Sequence, residues 1–183
     1  MERMFGTTAV GRPLSSFARW TEMLGRHKKA SLFERGHTLV ALGGLTWNKF
    51  KAEMRGKSDI EKIKAVNSLW NQRPWKPDKA NWGAEDKWAT PLEFCLKGGD
   101  CEDYAIAKMF SLKDLGVKCP MRIAVGYRKN EGHAVLLVEC GGKILVLDNS
   151  EKRVMEESEY EFTPIYSLDE KSAWMHLKGK AKE

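Results

Sequence analysis

A cysteine surrounded by acidic residues and glycines stands where a helix is predicted to begin. The segment Gly98-Gly99-Asp100-Cys101-Glu102-Asp103 leads directly into a helix-forming run over 105–110. Unpaired backbone N–H groups and the helix dipole stabilise a thiolate at a helix N-terminus, which makes Cys101 a candidate nucleophile. The three neighbouring carboxylates oppose ionisation of the thiol. A compensating positive charge is therefore expected from another part of the chain.

Two further residues, His133 and Asp148, can complete a catalytic group with Cys101. His133 lies at the start of one predicted strand and Asp148 closes the next. With Gly141-Gly142 as the turn between these strands, residues 140 and 143 pair, which makes Asp148 the diagonal neighbour of His133 on the same sheet face. The three side chains then suit the roles of nucleophile, base and orienting carboxylate. Taken singly, His133 is equally well explained as a partly buried strand histidine, and Asp148 as a turn residue.

Helical patterns fill the chain before Cys101. Ser58 and Glu61 have the spacing of a capping box, and Thr90 before Pro91 is typical of a capped helix start. The predicted helices cover 13–29, 36–54, a segment from Ser58 to Arg73, a short segment from Thr90, and a segment from Cys101 to Leu115-Gly116. A tryptophan-rich loop is predicted over 74–91, and its length suggests a functional role.

Strand patterns follow the Cys101 helix. The predicted strands cover 121–127, 132–140 and 143–148, with a further strand over 159–165 before a polar, lysine-rich tail. Glu131-Gly132 and Gly141-Gly142 are the expected turns of an antiparallel meander. Helices first and strands last indicate an α+β fold, with a helical N-terminal part packed on an antiparallel β-sheet. We expect one catalytic domain over 1–183, mainly helical over about 13–97, with the catalytic helix and sheet over about 98–168.

The composition favours an ordinary globular domain. The 183 residues include 42% hydrophobic and 31% charged residues, and no apolar run approaches the length of a membrane span. The net charge of +6 permits nucleic-acid binding, but the basic residues are scattered, which favours a solvated surface. None of the four cysteines lies in a C-x-x-C pattern, and Cys95, Cys119 and Cys140 are interpreted as small core residues.

Several motifs occur in a fixed order along the chain. They are Trp88-x-x-Pro91-x-Glu93-Phe94, Gly99-x-Cys101-x-Asp103-Tyr104-Ala105, Arg122-x-x-x-Gly126-Tyr127, His133-Ala134 and Leu147-Asp148. This combination resembles the core of the transglutaminase-like cysteine peptidase superfamily and, more narrowly, the LapG-type bacterial transglutaminase-like cysteine proteinases. The resemblance implies a papain-like, transglutaminase-like fold with Cys101, His133 and Asp148 as the catalytic triad.

The resemblance also implies a function. LapG-type members are periplasmic, calcium-dependent proteases that cut large surface adhesins near the N-terminus, at a site with two adjacent alanines, and so release biofilm cells. Their partner is the periplasmic domain of an inner-membrane cyclic-di-GMP receptor, which sequesters the protease. For this chain we therefore expect a periplasmic location, with an export signal outside the 183 residues, and neither nucleic-acid binding nor membrane insertion.

The acids beside the cysteine are candidate metal ligands. Asp100 and Glu102 suit a hard cation with oxygen ligands, and the resemblance assigns calcium dependence to these two positions. Helix capping is the alternative role for Asp100, and Asp103 is expected to cap the helix or to pack behind the site. Two carboxylates are too few for a calcium site, and Asp86 in the tryptophan-rich loop is a further candidate.

Two other functions use the same residues. A transglutaminase would transfer the acyl group of the same thioester to an amine instead of to water. A non-catalytic module on this fold would bind peptides without needing Cys101. The sequence leaves both alternatives open beside the protease.

Overall fold

The computed structural model describes residues 1–34 and 44–178. Its helices are α1 (Ala18–Lys29), α2 (Trp47–Glu53), α3 (Asp59–Trp70), α4 (Asp78–Trp82), α5 (Pro91–Lys97) and α6 (Cys101–Asp114). Its strands are β1 (Arg3–Met4), β2 (Thr7–Arg12), β3 (Met121–Arg128), β4 (Glu131–Cys140), β5 (Lys143–Leu147), β6 (Met155–Glu156), β7 (Thr163–Leu168) and β8 (Ala173–Lys178).

The strands form one antiparallel sheet in the order β1-β2-β8-β7-β3-β4-β5-β6. The predicted α+β fold, with helices packed on an antiparallel sheet, is therefore confirmed. Strand β4 carries an unbroken apolar run over 134–138 that is buried throughout, because both faces of the sheet are covered. Helices and loops cover one face with the larger core, and a smaller cluster that includes Met4, Tyr160 and Phe162 covers the other.

Helix α6 lies at the centre of the larger core. Every residue from 103 to 112 is buried, as expected for a helix surrounded by other elements. It packs against β3 and β4 on one side and against α3 and α5 on the other. Because α6 begins at Cys101 and β4 carries His133 near its start, this packing brings the two candidate residues to one end of the sheet.

Several helix predictions are confirmed, and three need correction. The capping boxes of α3 at Ser58 and of α5 at Thr90 are both present. The helix predicted over 13–29 begins only at Ala18, because a 3₁₀ turn over Leu14–Ser16 comes first. The helix predicted over 36–54 starts at Trp47 in the part that the structure describes, and its residues 36–43 lie outside that part. The predicted loop over 74–91 contains α4.

The sheet is larger than the sequence predicts. Strands β1 and β2 lie before the predicted helical part, and β8 lies in the tail predicted as polar and irregular. Strand β8 begins with the apolar run Ala173-Trp174-Met175. Its buried His176 is satisfied by the hydroxyl groups of Thr7 (3.1 Å) and Ser167 (2.8 Å), which contact its ring nitrogens. The sheet therefore extends beyond residue 168, where the sequence analysis places its end.

The turn between β3 and β4 also differs from the prediction. It lies at Lys129-Asn130, both with positive φ (49° and 67°), instead of at Glu131-Gly132. Asparagine tolerates this left-handed conformation, so a glycine is not required there.

Among the described residues, no helix combines the length and apolar character needed to cross a bilayer.

Gly126 allows β3 to lie closely against β7. It sits at an irregularity in the β3–β7 register and pairs with His133 across the β3–β4 ladder. A Cβ atom at this position would lie 2.1 Å from the Thr163 carbonyl oxygen and 2.8 Å from the Pro164 Cα. Both are backbone atoms, which cannot move aside as a flexible side chain can.

We therefore expect Gly126→Ala to lower the free energy of unfolding by about 1–3 kcal/mol, measured by urea denaturation, because β7 must move away from β3. Gly11→Ala in β2 is the matched control, since a Cβ there meets no atom within 4 Å, and its effect should stay within about 0.5 kcal/mol. Equal effects of the two substitutions would contradict the steric explanation.

Candidate active site

The start of α6 depends on Gly99 and Asp103. A Cβ at Gly99 would lie 1.9 Å from Asp103 Oδ2, so only glycine leaves room for this buried carboxylate. Asp103 accepts hydrogen bonds from the backbone N–H groups of Ala89 (2.6 Å) and Asp100 (3.3 Å). It therefore ties the first turn of α6 to the segment before α5, which agrees with the capping role predicted for it.

The Cys101 thiol is held in a strongly acidic environment. Its Sγ donates to Glu102 Oε2 at 3.3 Å. Burial, followed by the charge of Glu102, raises the pKa of Cys101 well above its ordinary value, whereas a hydrogen bond from the Ala134 backbone N–H lowers it by less. The structure therefore agrees with the expectation from the sequence that the neighbouring acids oppose ionisation of the Cys101 thiol.

His133 and Asp148 are hydrogen-bonded. His133 Nε2 lies 2.8 Å from Asp148 Oδ1. The predicted pairing of Cys140 with Lys143 is confirmed, and Asp148 follows the last residue of β5. Because Asp148 is the acceptor, Nε2 carries the proton and donates it, and Nδ1 is left with a lone pair.

Cys101 and His133 line one cavity of about 260 Å³. Trp88 and Tyr166 lie on the same lining, together with several acidic side chains. The Ala134 N–H that contacts the sulfur belongs to the residue after His133, so the start of β4 lies directly beside the thiol. The structure thus brings together all three residues predicted for the triad, although their catalytic roles stay a prediction.

Asp148 is surrounded by hydrogen-bond donors. Besides His133, it accepts from Ser150 N (3.0 Å) and Oγ (2.7 Å), Tyr160 OH (2.7 Å) and Arg128 Nη1 (2.8 Å). Burial would raise the pKa of Asp148, but the hydrogen bond and charge of His133, with help from Ser150 and Tyr160, hold it well below its ordinary value. A buried carboxylate with this many donors stays ionised.

The sequence reasoning missed these supporting residues. Only Ser150 had a local signal, because an aspartate often accepts from the backbone N–H two residues later. Arg128 and Tyr160 reach Asp148 from separate elements, and no spacing in the sequence indicates that contact. Arg128 additionally pairs with Glu151, which fixes the guanidinium beside the carboxylate.

Five carboxylates surround the Cys101 end of α6: Asp78, Asp86, Asp100, Glu102 and Asp103. In two triplets, Asp78–Asp86–Glu102 and Asp78–Asp100–Asp103, the carboxylate oxygens lie within 4.8 Å of one another. Burial is the main cause that raises the pKa values of Asp78, Asp100, Glu102 and Asp103. Asp78, at the start of α4, is a member that the sequence reasoning missed.

This acidic cluster has the chemistry of a cation site. Among the described residues, Asp78 Oδ1 and Asp100 Oδ1 are buried without a hydrogen-bond partner, and buried polar atoms are normally paired. Asp86 is partly neutralised by Arg19 Nη1 at 2.9 Å. A hard cation with several oxygen ligands would satisfy the free oxygens and reduce the repulsion.

Comparison with known proteins identifies the family. The family model of the bacterial transglutaminase-like cysteine proteinases (BTLCP) matches residues 46–182. The chain belongs to this family. It is therefore a cysteine proteinase, and the resemblance noted in the sequence is confirmed. No curated protein matches the chain.

Solved structures agree with the family assignment. LapG of Legionella pneumophila is 30% identical over 70% of this chain and 75% of that chain, with a TM-score of 0.62. The calcium-bound form of Legionella pneumophila LapG is 27% identical over 85% of this chain and 86% of that chain, with a TM-score of 0.64. An EGTA-treated form of that protein also matches, at 30% identity over 70% of this chain and 73% of that chain, with a TM-score of 0.62.

If Asp148 orients the histidine of this cysteine proteinase, Asp148→Asn should lower kcat/KM by about 10³–10⁴-fold, because an amide no longer fixes the imidazole tautomer. Asp169→Asn is the matched control, since Asp169 makes a similar turn contact with the Lys171 N–H (2.8 Å), whereas the carboxylate that His133 contacts is that of Asp148. A loss of the same size in both variants would show that a turn defect, and not catalysis, is responsible.

The same substitution should change how stability depends on pH. Because the pKa of Asp148 is lower in the folded chain than in the unfolded one, its contribution is complete above the unfolded pKa of about 4 and is lost as pH falls toward the folded value. We expect the difference in free energy of unfolding between the chain and its Asp148→Asn variant to shrink on acidification below about pH 4. A difference that does not change with pH would contradict the depressed pKa.

Proposed function

We propose that this cysteine proteinase is a calcium-dependent periplasmic endopeptidase that cleaves a large cell-surface adhesin near its N-terminus, at an Ala-Ala site, and so promotes biofilm dispersal. One observation carries the proposal: Cys101 shares a cavity with His133, which is hydrogen-bonded to Asp148, and most of the acidic cluster lines the same cavity. The cysteine, its base and a cation site are thus next to one another.

The proposed reaction is hydrolysis through a thioester. His133 Nδ1 takes the Cys101 proton, and the thiolate attacks the scissile carbonyl carbon. Backbone N–H groups at the start of α6 are suited to stabilise the oxyanion. His133 then gives its proton to the leaving amine, and water, deprotonated by the same histidine, cleaves the thioester and restores the thiol. Asp148 keeps the imidazole oriented and stabilises its protonated form.

Calcium would be held by Asp100 and Glu102, with Asp78, Asp86 and Asp103 as further carboxylates of the cluster. Asp100 and Asp78 each have a buried oxygen free for a ligand. A bound divalent cation supplies positive charge that lowers the pKa of nearby acidic groups. For Cys101 this opposes the effect of Glu102 and Asp100, which raises the pKa of the thiol. A calcium-bound form of Legionella pneumophila LapG supports the choice of metal.

The size of the cavity supports small residues at the cleavage site. Its volume of about 260 Å³ is below the range of most ligand pockets, about 300–1,000 Å³. Trp88 and Tyr166 are bulky members of its lining, which favours substrates with short side chains next to the scissile bond. Two adjacent alanines meet this requirement.

The location and the partner follow from the family resemblance. We propose that the proteinase acts in the periplasm and is sequestered there by the periplasmic domain of an inner-membrane cyclic-di-GMP receptor. The cyclic dinucleotide would bind to that receptor and not to this chain. Release from the receptor would then determine when the adhesin is cut.

A peptide with one Ala-Ala pair tests the reaction. We expect cleavage between the alanines, and a loss of more than about 10³-fold in Cys101→Ala, which should still bind the peptide. Hydrolysis should remain the main reaction when a primary amine is added. Amine adducts as the main product would indicate a transglutaminase, and full function of Cys101→Ala would indicate a non-catalytic binding module.

Calcium should stabilise the chain as well as activate it. A cation present at about 100 times its Kd adds about 2.7 kcal/mol, which corresponds to a rise in Tm of about 5–10 °C for a chain of this length. EGTA should reverse the rise. Asp100→Asn and Glu102→Gln should each reduce it.

Glu85→Gln is the matched control for the calcium experiment. Glu85 lies on the same cavity but is exposed and pairs with Lys79 at 3.3 Å, and it belongs to none of the three-residue groups suited to a metal. Its substitution should leave the calcium-dependent rise in Tm unchanged. A Tm that is insensitive to calcium and EGTA would contradict the metal assignment while leaving the cleavage experiment valid.

A further inference from the structure

Cys119 and Cys140 face each other at the end of the β3–β4 ladder. The register pairs Met121 with Val138, and the next backbone bond runs from Glu139 N to Pro120 O at 2.9 Å. One step further along the same register, Cys119 lies opposite Cys140. This end of the ladder is the one remote from His133.

The hydrogen-bond pattern places these two residues at a separation suited to a disulfide. Directly opposed residues alternate between hydrogen-bonded and non-hydrogen-bonded pairs. Because Pro120 and Glu139 form a hydrogen-bonded pair, Cys119 and Cys140 form a non-hydrogen-bonded one, with a Cα–Cα distance of about 4.5 Å. Disulfides span Cα–Cα distances of about 4.4–6.8 Å.

The surroundings of the Cys119 thiol agree with this placement. Burial, followed by a hydrogen bond with the Cys140 thiol, raises the pKa of Cys119 to about 12. The Cys119 Sγ also lies 3.7 Å from Asp59 Oδ2 at the start of α3. The prediction that both cysteines are core residues is confirmed only in part, because each packs against the larger core but is half-buried and lines a cavity at the surface.

We propose that Cys119 and Cys140 are a disulfide-forming pair that closes the end of the β3–β4 ladder in an oxidising environment. The oxidant is a donor disulfide, either a small one such as oxidised glutathione or that of a disulfide oxidoreductase. One thiolate of the pair attacks the donor and releases one donor thiol. The second thiolate then attacks the mixed disulfide and releases the other. The pair loses two protons and two electrons, and the donor gains them.

The other two cysteines are placed so that they remain thiols. Cys95 is only 3% exposed within the core. Cys101 bonds to Glu102 in the catalytic cavity beside the start of β4, and β4 separates it from Cys140 by roughly 20 Å. The disulfide therefore forms without consuming the catalytic thiol. It also removes two accessible thiols that could exchange with Cys101.

The proposal does not depend on the catalytic assignment, but it bears on the proposed location. Disulfides persist in oxidising compartments such as the periplasm and are reduced in the cytosol. The β3–β4 pair carries Gly126 and His133 at its other end. A disulfide between Cys119 and Cys140, at the end remote from His133, holds the two strands in the register that places His133 beside Cys101.

Peptide mapping tests the proposal directly. The full chain is equilibrated with excess oxidised glutathione, alkylated under denaturing conditions and digested with trypsin without reduction. We expect one cross-linked species that joins the peptides Cys119–Arg122 and Asn130–Lys143, with alkyl groups on Cys95 and Cys101. Alkylation or glutathionylation of Cys119 and Cys140 in separate peptides would overturn the proposal, as would a cross-link to Cys95 or Cys101.

Thermal unfolding gives a second measurement. Closing a loop of about 20 residues should raise Tm by about 6–12 °C, and dithiothreitol should abolish the rise. The double variant C119S/C140S is the control and should show no response to dithiothreitol. An equal response in the control, or none in the parent chain, would contradict the disulfide. If the control does not fold, the peptide map of the parent chain still decides.

Discussion

Negative charge buried at the start of α6 is the constraint on which the rest of the site depends. The helix must begin at Cys101, and Asp103 makes it begin there by accepting backbone hydrogen bonds in a space that only Gly99 leaves open. The same carboxylate joins the others of the acidic cluster beside the thiol. The group that defines the helix start therefore adds to the negative charge beside the Cys101 thiol, and a cation bound to the cluster would offset that charge.

Two carboxylate environments in this site behave in opposite ways. In the acidic cluster, burial and mutual repulsion raise the pKa values of Asp100 and Glu102. At Asp148, burial is outweighed by donors, above all His133, and the pKa falls. The difference lies in the partners and not in the depth of burial. Its donors thus keep Asp148 ionised, whereas burial and repulsion favour the protonated forms of Asp100 and Glu102.

The fold could be predicted well where local signals determine it. The capping boxes of α3 and α5, the start of α6 and the turn at Gly141-Gly142 depend on neighbouring residues, and all are confirmed. Strands β2 and β8 could not be predicted in the same way. They pair with each other over a large sequence separation, and the buried His176 of β8 is satisfied by hydroxyl groups of Thr7 and Ser167 on the neighbouring strands.

The site shows the same division. Cys101, His133 and Asp148 were found because each lies in a short motif, and the strand register brings two of them together. Asp78 and Arg128 were missed because their roles exist only after folding. Asp78 lies in a loop that sequence patterns describe as irregular, and its carboxylate meets Asp100 only when α4 packs beside α6. Residues that balance charge across elements leave no periodic trace in the sequence.

Lys108 extends this charge balance into the core. It lies on α6 below Cys101, fully buried, and its Nζ has no hydrogen-bond partner among the described residues. Burial lowers its pKa to about 7, against the charge of Asp148, which raises it. A buried lysine without a partner costs stability. When it is protonated, Lys108 places positive charge near Asp148, on the same helix whose first turn carries the excess of negative charge. Helix α6 therefore connects the two acidic environments of the site electrostatically as well as through packing.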